Sequence, residues 1–484
     1  MGALIAVVDK KGLPVSEAAF AMLEALSHRG SDAVGLASAQ KVVIKRTLGE
    51  LQTEEFNSNI LVGHNFAKML LRDHAQLIQI QDFTFIFDGR LFPPSIESEA
   101  KSIVEKPADV GIIAEQLIVR LNGAYAFAIA KNREIIVGRD PTGVCPLYFG
   151  ENENACAVAT ERKALWRIGV TETKSFPPGH FAVLNEKGFY FKAARIITPQ
   201  PILNESDIES TAEKLKDALL KSTKKRVSDV GRVAVAFSGG IDSSIIAFLT
   251  KLCQVDVHLV CVAVGKQKET AFAEHAAKTL DMPFHYVNYT IDDIKQNLRK
   301  VLWLIEESNP VNASIAIPIF WVAEQSAKLG IHVLLAGQGG DELFGGYHRY
   351  LEDYAKRGST GLQKRLFQDV VSCPEVNFQR DNKICAFHKV ELRLPFADWD
   401  VIKLALSIPA NWEIFSPQDM LRKRALRHTA RKLGIPKFIV EKPKRAIQYT
   451  TGVTPAMQKL AKREGLTLRK YVEKEFLETY KMLE

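Results

Sequence analysis

The stretch from Val233 to Leu249, reading Val-Ala-Val-Ala-Phe-Ser-Gly-Gly-Ile-Asp-Ser-Ser-Ile-Ile-Ala-Phe-Leu, constrains the chain more than any other. An apolar run of strand length breaks at Ser238-Gly239-Gly240, and a second apolar run of helical length follows. Strand, glycine turn and helix start together build an anion site. The glycines let the backbone approach a phosphate, successive N–H groups point inward, and the first helical turn adds the positive end of its dipole. Ser238, Ser243 and Ser244 supply hydroxyl donors. Asp242 is the exception, because a carboxylate beside a phosphate cradle is repulsive unless a cation lies between them. The pattern therefore predicts ATP or a related polyphosphate carrying Mg²⁺, with Asp242 as a metal ligand. The loop lacks the Gly-Lys-Ser/Thr ending of a Walker loop, which excludes the ordinary kinase and GTPase arrangement.

With 484 residues and ordinary hydrophobic content, the chain is long enough for two or more cored domains. No apolar run approaches the ~20 residues of a membrane span, and no signal peptide is read at the amino terminus, so a cytoplasmic protein is expected. The six cysteines are scattered without a Cys-x-x-Cys pair and read as reduced packing residues. The formal charge of +8 includes two local concentrations, Lys221 to Arg226 and Arg422-Lys423-Arg424 with Arg427, Arg431 and Lys432. Solvated helix faces are the expected explanation for both, and nucleic acid is not expected as a partner.

Short strands rich in β-branched and aromatic residues fill the first half, for example Leu4 to Val8, Phe83 to Phe87, Tyr125 to Ala130 and Ile135 to Gly138. Two helical segments interrupt them, near Ser16 to Ser27 and Val110 to Leu121, giving an α+β layered domain over residues 1–196. The polar, proline-containing stretch 198–206 reads as a linker. From residue 208 onward, helices alternate with strands at Val233, Val257 to Val264, Phe284 to Asn288 and His332 to Ala336. That alternation predicts an α/β doubly wound parallel sheet in a second domain, 208–484, mainly helical beyond about residue 350. Ligands bind such sheets outside the carboxyl ends of the strands, where Ser238 sits.

A second glycine-rich loop, Leu335-Ala-Gly-Gln-Gly-Gly-Asp-Glu-Leu-Phe-Gly-Gly-Tyr347, follows the last of these strands. So many glycines are costly unless backbone must approach a ligand, and Asp341 is the natural second carboxylate for the Mg²⁺ expected at Asp242. The first loop resembles the pyrophosphate loop, Ser-Gly-Gly-x-Asp-Ser, of the enzymes that split ATP between its α- and β-phosphates, and the two loops with Val390-Glu-Leu-Arg-Leu-Pro-Phe396 resemble the synthetase domain of the asparagine synthetases. In the first half, His28-Arg-Gly-Ser-Asp-Ala-Val-Gly35, Gly138-Arg-Asp-Pro-Thr-Gly-Val-Cys-Pro-Leu-Tyr148, Ala159-Thr-Glu-Arg-Lys-Ala-Leu165 and Phe176-Pro-Pro-Gly179 resemble the glutaminase domain of the same enzymes. The resemblance implies an Ntn-hydrolase-like, four-layer first domain. It assigns the ATP phosphates to Ser238, Gly239, Gly240, Ser243 and Ser244, Mg²⁺ and pyrophosphate to Asp242 and Asp341, and the neighbourhood of adenosine to Val264 and Gly337. Lys444, in Glu441-Lys-Pro-Lys-Arg445, matches the lysine set against the charge developing at the α-phosphate and carbonyl.

The chain departs from that family twice. Glutamine-dependent members carry a nucleophilic cysteine where this sequence has Gly2, an arginine where it has Phe66, and an asparagine where it has Asp88; Asp109 is retained. Glycine offers no nucleophile, and a carboxylate opposes an oxyanion, so a dead glutaminase is expected. In the synthetase half, Gln338 stands where many members have a glutamate, and an amide takes up no proton near neutral pH. Glu342, Glu391 or the leaving phosphate would then accept the proton, or Gln338 orients a different amine by hydrogen bonding.

The expected function is an AMP-forming amide ligase that adenylates a small-molecule carboxylate, aspartate first, and transfers ammonia to it. A β-lactam-synthetase-like ligase for another carboxylate and amine, or a non-catalytic nucleotide-binding regulatory protein, are the alternatives. The segment Asn309 to Pro318 is expected to line the acceptor pocket. The ammonia is free or comes from a separate glutaminase, and a homodimer is compatible with the resemblance.

Overall fold

A computed structural model describes residues 2–94, 110–203 and 207–481; Asp109 and the end of the expected linker, 204–206, lie outside the described residues. The chain forms two compact units, Met1–Ile197 and Thr198–Glu484.

The first unit is built on central strands that bury both faces. Its seven-stranded sheet has Gly2–Asp9 near the middle, between Ala155–Ala159 and Ile60–Phe66, and its six-stranded sheet is centred on Gly123–Lys131 between Phe83–Leu91 and Glu134–Arg139. The pairings of these central strands are antiparallel. Alternation along one strand creates the layers. Ala3, Ile5 and Val7 pack with Met22 and Leu23 of helix Ser16–Ala25, and with Leu165 of helix Arg162–Trp166. Leu4, Ala6 and Val8 pack instead with Ile86, Ala128 and Val137 of the other sheet. Phe83, Phe85 and Phe87, on the far side of that second sheet, meet Ile113 and Leu117 of helix Val110–Arg120. The order helix, sheet, sheet, helix is the four-layer α+β arrangement. Leu48–Gln52 and Arg162–Trp166 are additional helices, each too short to show a helical period in the sequence.

The second unit is α/β. Its five strands run parallel in the order Phe284–Tyr289, Asp256–Val264, Arg232–Ala236, Val333–Leu335, Glu391–Arg393. The chain steps outward from Arg232–Ala236 in one direction and then returns to its other side. With right-handed crossovers this reversal puts helices on both faces, the doubly wound form. The switch point lies between Arg232–Ala236 and Val333–Leu335, and both glycine loops leave the carboxyl ends of these two strands. Glu391–Arg393 is a fifth strand inside the Val390–Phe396 motif; three residues are too few to show alternation in the sequence. Its Arg393 is fully buried, bonded to Asp229 through both terminal nitrogens and to Glu391 at 2.7 Å, so this motif is an internal ion network.

Candidate active site

A cavity of about 610 Å³ opens at the switch point of the second unit. Gly239 lies at φ +66°, and a Cβ there would stand 2.9 Å from Cα of Ala273, so only glycine lets the turn pass that close to helix Lys268–Thr279. Ser238 N–H donates to the Ser243 hydroxyl at 3.3 Å, and that hydroxyl donates to Gly240 O at 3.2 Å. Helix Ile241–Leu252 then begins with no side chain capping its first amides, which leaves them toward the cavity as anion donors.

Two aspartates and two lysines meet beside this helix start. Lys423 Nζ is 2.6 Å from Oδ1 of Asp242 and 2.6 Å from Oδ1 of Asp341. Lys444 Nζ is 2.8 Å from Asp341 Oδ2 and 3.6 Å from Asp242 Oδ2. Loss of hydration works to raise the Asp341 carboxyl, but the two ammonium groups outweigh it and hold it well below the ordinary carboxylate range. Lys444 moves the other way: burial opposes its charge, Asp341 and Asp242 support it, and the net direction is up. Glycines keep room around the carboxylates. A Cβ on Gly346 would stand 2.0 Å from Asp341 Oδ1, one on Gly337 2.8 Å from Asp242 Cβ, and one on Gly340 3.0 Å from Asp242 Oδ1. Among the described residues no group of three or more His, Cys, Asp or Glu gathers to hold a metal. Two hard carboxylates in an open cradle suit Mg²⁺, which keeps waters and substrate phosphate oxygens as its other ligands.

Lys423 corrects the expectation of a solvated basic face. It is fully buried, as are Arg422 and Arg427 to within a few per cent. Arg422 and Lys423 both take left-handed backbone, φ 53° and 50°, costing roughly 1–2 kcal/mol each. That turn points Lys423 at the carboxylates and lets Arg422 donate to Gly346 O at 3.0 Å and Lys444 O at 3.2 Å. The only signal in the sequence was three consecutive cations ahead of a helix, which a solvated surface also produces.

The other expected residues divide. Ser238, Gly240, Asp242, Ser243, Gly337, Gln338, Asp341, Glu342 and Lys444 line the cavity. Gly239, Ser244 and Val264 do not. Ser244 is fully buried in its helix with an unbonded hydroxyl, and the Val264 N–H donates at 2.8 Å to the carbonyl of Thr451, a residue that does line the cavity. Glu342 accepts from Tyr347 at 2.5 Å and Asn377 at 2.7 Å; burial first, and then Asp341, push its carboxyl up. Glu391 is outside the cavity, paired with Arg393. Asn309 to Pro318 is helical, the start of helix Pro310–Lys328 capped by Asn309, and Val311, Asn312 and Ile315 reach the cavity.

In the first unit, Gly2 pairs with Phe66 across adjacent strands, and a Cβ on Gly2 would stand 1.7 Å from Asn65 O. The space for a side chain at position 2 is filled by backbone. Asp88 is buried with His64 Nε2 3.6 Å away. Burial would raise its carboxyl, but His64 and other nearby positive charges together turn the net direction down. Cys145, whose Sγ lies 3.9 Å from Asp88 O, has its thiol pushed up by burial and by Asp88 and Asp140.

The family model described as asparagine synthase matches residues 214–360 and 352–481, together more than half of the 484 residues. The model described as glutamine amidotransferase domain matches residues 97–167. The chain is 28% identical over 518 aligned residues to "Putative asparagine synthetase (glutamine-hydrolyzing) 1" of Methanocaldococcus jannaschii, with 95% of each chain covered. It is 25% identical over 363 residues to the asparagine synthetase (glutamine-hydrolyzing) of Sandersonia aurantiaca, covering 70% of this chain and 66% of that one. The solved glutamine phosphoribosylpyrophosphate amidotransferase of B. subtilis is 17% identical with a TM-score of 0.36, covering 59% of this chain and 65% of that chain, too slight a likeness to argue from. Two glycine loops at one switch point, the paired carboxylates they carry and a match through the whole of the second unit's sheet identify the chain as a member of the asparagine synthase family.

Proposed function

We propose that the chain is an ATP-dependent, AMP-forming amide ligase that adenylates aspartate and joins it to ammonia, with the chemistry in residues 208–484. Residues 1–196 are assigned as an amidotransferase-like domain that does not hydrolyse glutamine. The observation that carries this reading is the Asp242–Asp341 pair with Lys423 and Lys444, set against an uncapped helix start at the mouth of a 610 Å³ cavity.

The helix amides and Ser238 and Ser243 receive phosphate oxygens. Asp242 and Asp341 would hold Mg²⁺, which when bound neutralises charge on the polyphosphate. Lys423 and Lys444 are positioned to follow the phosphates as charge moves onto the departing pyrophosphate, as fixed donors. The substrate carboxylate oxygen bonds to the α-phosphorus and the bond to pyrophosphate breaks. Ammonia then forms the C–N bond, the acyl C–O bond to AMP breaks, and one proton leaves the nitrogen. Glu342, pushed up by burial and facing the cavity, is the side chain best placed to take it.

Gly2, without room for a Cβ, the apolar Phe66 and the charged Asp88 support loss of glutaminase activity. Ammonia is therefore taken free or from a separate glutaminase. A second reading, a β-lactam-synthetase-like ligase for a carboxylate with an apolar body, draws support from Val311, Ile315 and Ile319 along one cavity wall. Product analysis tests the proposal. ATP, Mg²⁺ and aspartate should give AMP and asparagine with ammonia, and no asparagine with glutamine alone; ADP as product, or asparagine with equimolar glutamate from glutamine, would contradict it.

A further inference from the structure

Gln338 lines the same cavity as Asp242, Asp341 and Glu342, and one of its neighbours restricts what its amide can do. Its Nε2 donates to Oδ2 of Asp381, on helix Gln379–Phe387. Asp381 is 1% exposed and its other oxygen accepts from Arg380 Nε at 2.8 Å. Arg380 is in turn 2% exposed and held by Val376 O at 3.2 Å. A carboxylate paired with a guanidinium only accepts, so the Gln338 atom that meets it has to be the N–H side of the amide. The carbonyl oxygen then faces away from Asp381, and no described residue donates to it.

We propose that Asp381 fixes the direction of the Gln338 amide, so that Gln338 offers the cavity an acceptor only and receives one N–H of the nitrogen nucleophile. Asp381 is thus a positioning residue acting through Gln338. An amine held by one N–H keeps its lone pair free for the acyl carbon, and the proton released when the C–N bond forms and the C–O bond to AMP breaks goes to another group, Glu342 being nearest in kind. A freely rotating amide would present its N–H₂ half of the time and repel the amine it is meant to hold. This rests on the ligase reading above, and it concerns only the second half-reaction.

The test separates the two half-reactions on the full chain. ATP/pyrophosphate exchange with aspartate reads adenylation, amide formed from ammonia reads the second step, and their ratio is compared between proteins. Asp381→Asn lets the Gln338 amide turn, so the ratio should fall at least tenfold, with the KM for ammonia raised. Gln338→Glu sets carboxylate against carboxylate. Its ratio should also fall tenfold or more, and should recover relative to wild type as pH drops, because the protonated acid can donate to Asp381 as the amide did. Adding Asp381→Asn to Gln338→Glu should restore part of the ratio, since asparagine can donate to the introduced carboxylate. If Asp381→Asn does not fold, the pH recovery of Gln338→Glu decides. Parallel loss of both half-reactions, an unchanged ammonia KM in Asp381→Asn, or no pH recovery in Gln338→Glu would overturn the proposal while leaving the ligase reading intact. Absence of exchange in the wild-type protein would remove both.

Discussion

Two lysines against two aspartates form a neutral quartet, and a bound triphosphate would change its balance. Lys423 is the most deeply buried member, 181 residues from Asp242 in the chain and 2.6 Å from it in space. Without it the carboxylates lose their main neutralising group, and removing one partner of a buried ion pair costs roughly 3–5 kcal/mol. Lys423→Met should therefore melt several degrees below wild type in EDTA, regain part of that loss in Mg²⁺, and lose about 10²–10³-fold in pyrophosphate exchange. Equal melting with and without Mg²⁺ would argue against the carboxylate pair as the metal site. Lys442 supplies a pH signature. Its Nζ sits 3.6 Å from the Phe272 ring centroid, and burial pulls its pKa down to about 8, with Glu269 working against that shift. As pH rises through about 8 this cavity cation is lost, so the KM for ATP should climb, and Lys442→Arg should move the climb to higher pH. At this scale the sequence was legible where a residue's placement is set locally. Ser238, Asp242 and Asp341 sit in glycine loops that announce close approach to a ligand. Lys423 and Asp381 act through contacts made only by folding, and a lysine between two arginines, or an aspartate beside an arginine, reads the same on a solvated helix.

The elements behave in the same way. The strands of the first unit were legible because double-sided burial writes long apolar runs, as in Gly2–Asp9 and Gly123–Lys131. Helix Ile208–Val227 runs through the basic cluster Lys221 to Arg226, where Ser222, Thr223 and Arg226 are buried through side-chain bonds such as Ser222 to Pro395 O at 2.7 Å and carry no apolar signal. Strand Glu391–Arg393 and the turn before helix Arg424–Lys432 were hidden for want of length and period. The turn is held by Asp419, whose Oδ1 accepts the Leu421 and Arg422 amides at 3.2 Å each and Arg424 Nη2 at 2.6 Å. This side-chain cage offsets the two left-handed residues and keeps Lys423 aimed inward. The glycine loop opposite needs equal room. In Gly346→Ala the new methyl would meet Asp341 Oδ1 at 2.0 Å and Lys423 Cε at 2.3 Å, and Lys423 is packed on every side. Exchange should fall at least tenfold with the circular dichroism spectrum unchanged; wild-type exchange in this variant would mean that the quartet has slack the geometry does not show.

For the molecule as a whole, each unit has its own core and its own chemistry to account for, and no helix among the described residues is long and apolar enough to cross a membrane. The first unit keeps the four layers, and on the proposed reading Gly2, Phe66 and Asp88 stand in place of the groups a glutaminase would need. Its packing leaves no room for a side chain there, since Asn65 O occupies the position of a Cβ at residue 2. Gly2→Cys should therefore release no glutamate from glutamine and should destabilise the protein, as read by thermal unfolding; glutamate release above the wild-type background would contradict the account of this unit. The second unit keeps cradle, carboxylates and lysines together, and the account stands or falls there. The measurement that tests it most directly is exchange of labelled pyrophosphate into ATP, with Mg²⁺ and a panel of carboxylates, in wild type and in Asp341→Asn. Exchange that requires a carboxylate, is greatest with aspartate and is lost about 10²-fold or more in Asp341→Asn is the predicted result. No exchange with any carboxylate, or exchange undiminished in Asp341→Asn, would contradict it.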